Sequence, residues 1–214
     1  MEIKLTGEDS VSLAVARFQE PRPPLVLAST SPRRSALLAA AGFRFEVLDP
    51  GPDGPGNHAE PGRRVLQHAA FKALAGARLR PGRWLVAADT LVWCRGRFLP
   101  KPADAGEARD MLQWLAETEH QVWTGVCVVD PDGRLRQRAD RAEVRFRPIP
   151  AAELEAYLQG SEWQDKAGAY AIQGWAGAWT ELLSGSLDTV IGLDPNTVAD
   201  LIVAPTAADL SEST

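Results

Sequence analysis

Two arginines stand at the wrong end of a helix, and that placement constrains the chain more than any other feature of it. Residues 25–28, Leu-Val-Leu-Ala, read as a short buried strand, and Ser29-Thr30-Ser31-Pro32-Arg33-Arg34 follows at once. Ser31 suits an N-cap, Pro32 the first helical position and Gly42 the C-terminal stop, so a helix is predicted between them. Arg33 and Arg34 then face the positive end of the helix dipole, at about 0.3–1 kcal/mol each unless an anion offsets them. Backbone N–H groups, the hydroxyls of Ser29, Thr30 and Ser31, and two guanidinium forks converge there, which is how a phosphate site is built. For the arginines alone, a solvent-exposed basic turn is the plain alternative.

Composition narrows the ligand. A net charge of −5 over 214 residues argues against a nucleic-acid polymer, so the anion is small and the positive charge local. With 45% hydrophobic residues the chain can bury a sizeable core. Cys94 and Cys127 lie in strand-like apolar runs and read as buried free thiols, which suits a reducing cytoplasm. No run approaches a membrane span and no secretory segment precedes Leu25, so a cytoplasmic protein without membrane contact is expected.

Residues 1–24 read as a polar leader, with an edge strand available at 2–5, and 204–214 as a loose tail. The body, 25–203, reads as one domain of two lobes. Strands are predicted at 43–48, 84–88, 121–129, 135–146 and 179–183, with hairpin turns at Arg95-Gly96 and Asp130-Pro131-Asp132-Gly133. Helices are predicted at 63–77, after Asp104 to 116, at 151–158 and at 196–203, while 49–62 is a Pro- and Gly-rich loop. Strands that alternate with helices and later gather in hairpins predict an α/β or α+β sheet with helices on both faces, and a cleft between lobes as the ligand site.

Asp89 is the leading catalytic candidate, because it ends the apolar run 84–88 and so stands at the carboxyl end of a buried strand. A carboxylate there can hold a divalent metal or take a proton from water, or it can simply cap the next turn. Lys72, in an apolar stretch, and Lys101, clamped between Pro100 and Pro102, can each meet a phosphate as a point charge. In the small-residue segment 165–174, Gln173 can read the edge of a base. His58, His68 and His120 show no metal-ligand spacing and read as structural or exposed.

Together these pieces resemble the Maf family of nucleoside triphosphate pyrophosphatases. The resemblance rests on Leu27-Ala28-Ser29-Thr30-Ser31-Pro32-Arg33-Arg34, Ala88-Asp89-Thr90, Lys101-Pro102, Thr124-Gly125 and the segment from Asp165 through Lys166 and Gln173 to Gly174, in order from about Leu25 to Ile202. It implies an elongated, two-lobed Maf/ITPase-like mixed sheet, hydrolysis between the α and β phosphates, and a divalent cation such as Mg²⁺ or Mn²⁺. By motif, Asp89 would activate water and hold the metal. Ser29, Ser31, Arg33, Arg34, Lys72 and Lys101 would hold phosphates, and Arg33, Thr90 and Gln173 would sort substrates toward dTTP and UTP. A homodimer stays open.

The chain departs from that pattern twice. Gly54 stands where the family carries a catalytic glutamate, which moves the metal carboxylate to Asp53 or leaves a nucleotide-binding regulatory protein, linked to septum formation, with little turnover. Near the end, Asp188-Thr189 and Gly192-Leu193-Asp194 replace the usual Asn and Gly-Leu-Pro.

Overall fold

Strands β1 (Leu25–Ala28), β2 (Phe45–Leu48), β3 (Leu85–Cys94), β4 (Arg97–Leu99), β5 (Glu119–Val129), β6 (Leu135–Phe146) and β7 (Thr180–Ser184) form one mixed sheet. Its order is β2-β1-β3-β5-β6-β7, with β4 on β3. Among the described residues, only the β1 ladders, to β2 and β3, are parallel. The computed structural model describes residues 7–20, 22–52 and 54–204. The edge strand available at 2–5, Asp53 and the tail beyond 204 lie outside them.

Helices cover both faces. On one, α3 (Pro61–Leu79) lies across β3 and β5, its first turn capped by the Glu60 carboxylate, which accepts from the N–H groups of Gly62 and Arg63 at 2.8 Å each. Gly125 permits that approach, because a Cβ there would lie 2.6 Å from the Val65 backbone. On the other face, α1 (Gly7–Ala16) packs on α7 (Pro195–Val203) at one end, and α4 (Ala105–Leu115) and α5 (Ala151–Gln159) form the other. The segment read as a polar leader therefore contributes a helix, and Ala14 and Phe18 are buried beside Val198 and Ile202. Helix α2 (Pro32–Ala40) ends near Gly42, at φ +84°. A short helix not foreseen in the sequence, α6 (Leu187–Ile191), precedes α7.

Two separate cores are strung on the same long strands. Val86 and Ala88 belong to the core under α1 and α7, whereas Val92 and Cys94 belong to the core of α4 and α5. Leu85 and Ala87 face α3. Between those apolar stretches, β3 carries Asp89 and Thr90. The strand does not stop there, as the sequence suggested, but continues to Cys94, so Asp89 is mid-strand and not at a carboxyl end. Antiparallel pairing of Asp89 with Gly125 and of Thr90 with Thr124 keeps the ladder intact, and both polar side chains find partners.

Sheet connectivity opens the cleft. β1 pairs with β3 only as far as Val86, and β4 joins only from Val92, so one edge of β3 has no ladder partner in between. The chain leaving β1 supplies Ser29 to Arg34, and the chain leaving β4 supplies Lys101. Both therefore flank the gap.

His120 sits beneath the second core at 3% exposure, its Nε2 2.7 Å from the Tyr170 hydroxyl. Its Nδ1 is buried without a partner, and burial lowers the imidazole from the ordinary 6.5 to about 4. Between those values the unfolded chain binds the proton and the folded chain does not, so stability falls as the pH falls from 6.5 to 4. Full titration is worth about 3 kcal/mol. Urea unfolding at pH 7 and pH 4.5 should show that loss, and His120→Asn should flatten it. Equal pH slopes for the two proteins would refute this account.

Candidate active site

Helix α3 brings two bases to one carboxylate. His68 and Lys72 lie one turn apart on the same helix face, toward Asp89. Lys72 Nζ donates to Asp89 Oδ1 at 2.7 Å, and His68 Nδ1 lies 2.8 Å from Oδ2. Asp89 and Lys72 are 9% and 8% exposed. Burial works against the Asp89 charge, but the His68 hydrogen bond and the positive charges of Lys72 and Arg34 outweigh it and hold the carboxyl below the usual carboxylate range. An ionised carboxylate only accepts, so His68 Nδ1 carries the proton in this contact.

Across the strand, Arg34 is fixed by one nearby hydroxyl and two groups distant in sequence. Its Nε donates to the Gly192 carbonyl at 3.0 Å, Nη1 to Ser29 Oγ at 3.1 Å and Nη2 to Thr90 Oγ1 at 3.3 Å. Thr124 spends its hydroxyl hydrogen on the Thr189 carbonyl at 2.7 Å, so in the 2.9 Å contact between Thr90 and Thr124 the donor is Thr90. The result is a directed chain from Arg34 through Thr90 and Thr124 to α6. The departures near the C-terminus thus still build the site. Thr189 and Gly192 offer carbonyls, and Asp194 caps α7 by accepting from the Asn196 N–H at 2.9 Å.

Ser31 is the N-cap residue of α2, yet its hydroxyl makes no capping bond. Its own N–H donates to Ser29 Oγ at 3.3 Å. The helix start therefore faces the cleft without a side-chain cap. Arg33 reaches across to donate to the Asp165 carbonyl at 3.3 Å, and burial lowers its pKa against the opposing pull of Asp165.

Two cavities adjoin at this point. One is bordered by Ser29, Thr30, Pro32 and Asp49. The other has Val92, Val122, Ile172 and Val190 in its wall, together with Thr90 and the exposed Gln173. Ser31, Arg33, Arg34, Lys72, Lys101 and Asp165 border both, and Asp89 borders the second. Cationic groups thus stand between a polar chamber and a second one that has apolar residues in its wall. The 165–173 wall follows a bent path, with Asp165, Gly168 and Ala169 all at positive φ, and the Gly168 N–H donates to the Pro100 carbonyl at 3.2 Å, tying this wall to the Lys101 segment.

Every sequence-derived candidate within the described residues borders this cleft. His68 escaped sequence reasoning, which treated the histidines by metal spacing alone. The usable signal was its i, i+4 relation to Lys72 in an otherwise apolar stretch. At Gly54 a Cβ would overlap the Phe71 ring, and at Gly56 it would overlap the His68 ring at Nε2, so the loop after β2 lies directly on α3. Cys127 is buried, its thiol pushed up to about 12, and it takes no part in the site.

A family model described as Maf-like protein matches residues 24–204. The dTTP/UTP pyrophosphatase of Rhodospirillum rubrum is 43% identical over 172 residues, covering 79% of this chain and 82% of that protein. That of Sphingopyxis alaskensis is 46% identical over 173 residues, covering 80% and 90%. The dTTP/UTP pyrophosphatase of Pyrococcus horikoshii is 39% identical over 177 residues, covering 83% and 94%. Among solved structures, a nucleoside-triphosphatase (dITP/XTP pyrophosphatase) from Mycobacterium abscessus aligns with a TM-score of 0.39 at 20% identity, over 59% of this chain and 76% of that one.

Proposed function

Because the chain belongs to the family of Maf-like proteins, we propose that it hydrolyses nucleoside triphosphates, dTTP and UTP foremost, to the monophosphate and pyrophosphate. The observation that carries this reading is the shared cationic border between two chambers, with the Asp89–Lys72 pair at its floor.

In this reading the triphosphate lies against the start of α2, Arg33, Arg34 and Lys101, and the base enters the second chamber toward Gln173. Phosphate oxygens compete with Asp89 for Lys72. As Lys72 turns to them, the carboxylate loses its nearest positive neighbour and becomes a better proton acceptor. Asp89 then takes a proton from water as the new O–P bond forms at the α phosphorus. The bond from the α phosphorus to the bridging oxygen breaks, and its electron pair leaves with pyrophosphate, whose developing charge the arginines and lysines stabilise. Thr90 donates its hydroxyl hydrogen to Thr124 and accepts from Arg34, so it orients Arg34 toward the phosphates.

The donor set suits a cation that arrives with the substrate. Among the described residues no group of three or more His, Cys, Asp or Glu is placed to hold a metal, but each Asp89 oxygen keeps a lone pair and Asp49 borders the polar chamber. Mg²⁺ is commonly held by one or two carboxylates together with substrate phosphates. Asp89, with Asp53 as the proposed second carboxylate, would hold it here. Such a cation supplies charge neutralisation at the phosphates.

Pyrophosphate release from dTTP, UTP, CTP and 7-methyl-GTP with Mn²⁺ tests the proposal. Turnover led by dTTP and UTP is expected, and nucleotide binding without release would point instead to a regulatory protein. Substrate choice has its own test. Gln173→Glu replaces a donor–acceptor amide with an acceptor-only carboxylate, so preference for dTTP and UTP over 7-methyl-GTP should fall by about 1–3 kcal/mol. An unchanged ranking removes Gln173 from base recognition.

A further inference from the structure

Asp89 is held by two partners of different kinds. Lys72 borders both chambers and is within reach of phosphates, whereas His68 borders neither. His68 approaches the carboxylate from the α3 side, donating to Oδ2 at 2.8 Å, and its far edge at Nε2 lies against Gly56 with no room for a Cβ between them. The ring is therefore clamped between the carboxylate and the loop after β2.

We propose that His68 is a positioning residue: it fixes the Asp89 carboxylate from the side away from substrate and sets the distance of the loop after β2 from it. This rests on the hydrolytic reading above. When a triphosphate draws Lys72 away, the bond from His68 to Oδ2 remains and keeps Oδ1 directed into the cleft. Without it, the carboxylate rotates about its Cβ–Cγ bond and the reacting water loses its acceptor. Gly54 and Gly56 are both pressed on α3 side chains, Phe71 and His68, so the described part of that loop is held against α3.

Steady-state dTTP hydrolysis by the full chain tests this. His68→Leu fills the space without a donor and should lower kcat about tenfold or more, with KM within threefold. His68→Asn keeps an N–H near the Nδ1 position and should recover most of that loss. Gly56→Ala should impair the parent chain but cost little in the His68→Asn background, where the smaller side chain relieves the overlap. Parental kcat in His68→Leu, or equal impairment of the Leu and Asn variants, would overturn the proposal. A second measurement is independent of turnover: in a double-mutant cycle on urea unfolding, His68→Leu and Asp89→Asn together should cost less than the sum of the two. Additive effects would overturn the contact itself. Absence of release from any nucleotide by the parent chain refutes the hydrolytic reading, while the cycle still decides the His68–Asp89 coupling.

Discussion

Asp89→Asn lowers kcat by about a hundredfold or more, the scale of a lost general base, while nucleotide binding survives. The side-chain volume is unchanged and the amide oxygen can still accept from Lys72, but the Lys72 charge stays buried without its counter-charge, so the variant should fold with stability lower by about 3 kcal/mol. What disappears is the proton acceptor and the negative charge available to a cation. Single-turnover release of pyrophosphate from dTTP, beside equilibrium binding of a non-hydrolysable analogue, separates the two effects. Parental turnover would move the chemistry off Asp89 altogether.

Lys72→Met should damage both stability and turnover. Removing one partner of a buried ion pair commonly costs about 3–5 kcal/mol, because the other charge stays buried. Asp89 keeps its bond from His68 and the field of Arg34, so the lower end is expected, about 3 kcal/mol. For a chain of this size that is a fall in Tm of about 6–12 °C. The carboxyl pKa should rise at the same time, so the variant's remaining stability should depend less steeply on pH below the usual carboxylate range. The sign follows from the parent: a carboxyl held low in the folded state contributes stability above its unfolded pKa and loses it as the pH falls through the folded value. With the pair broken, less is there to lose. A Tm within 2 °C of the parent, on the scale of about 1 kcal/mol or less, would show that the Lys72–Asp89 contact is not a buried, consequential pair.

The sequence by itself determined the parts whose causes lie within a few residues. Pro32 at the first helical position and Gly42 past the end specify α2 and so deliver Arg33 and Arg34 to a helix start, although Ser31 makes no side-chain cap. Arg95-Gly96, both at positive φ in the hairpin, and the Asp104 cap, which accepts from the Glu107 N–H at 2.9 Å, are equally local. Asp89, Lys72, Lys101 and Gln173 were legible as misfits, charged or polar groups in apolar or proline-locked settings. Only the tertiary structure decided what those misfits do. It carries β3 through Asp89, because a strand 36 residues downstream in register supplies the ladder partner Gly125. It anchors Arg34 on a carbonyl 158 residues away, and turns His68 toward Asp89 through the docking of α3 on the sheet. It also buries Ala14 and Phe18 against α7, making core of a segment whose own composition reads as polar. Hydrogen bonds within a turn leave their mark on neighbouring residue types, whereas contacts between distant segments arise only when burial of apolar faces brings whole elements together. The cleft belongs to the second kind, since it exists only where β1 ends its pairing and β4 has not yet begun.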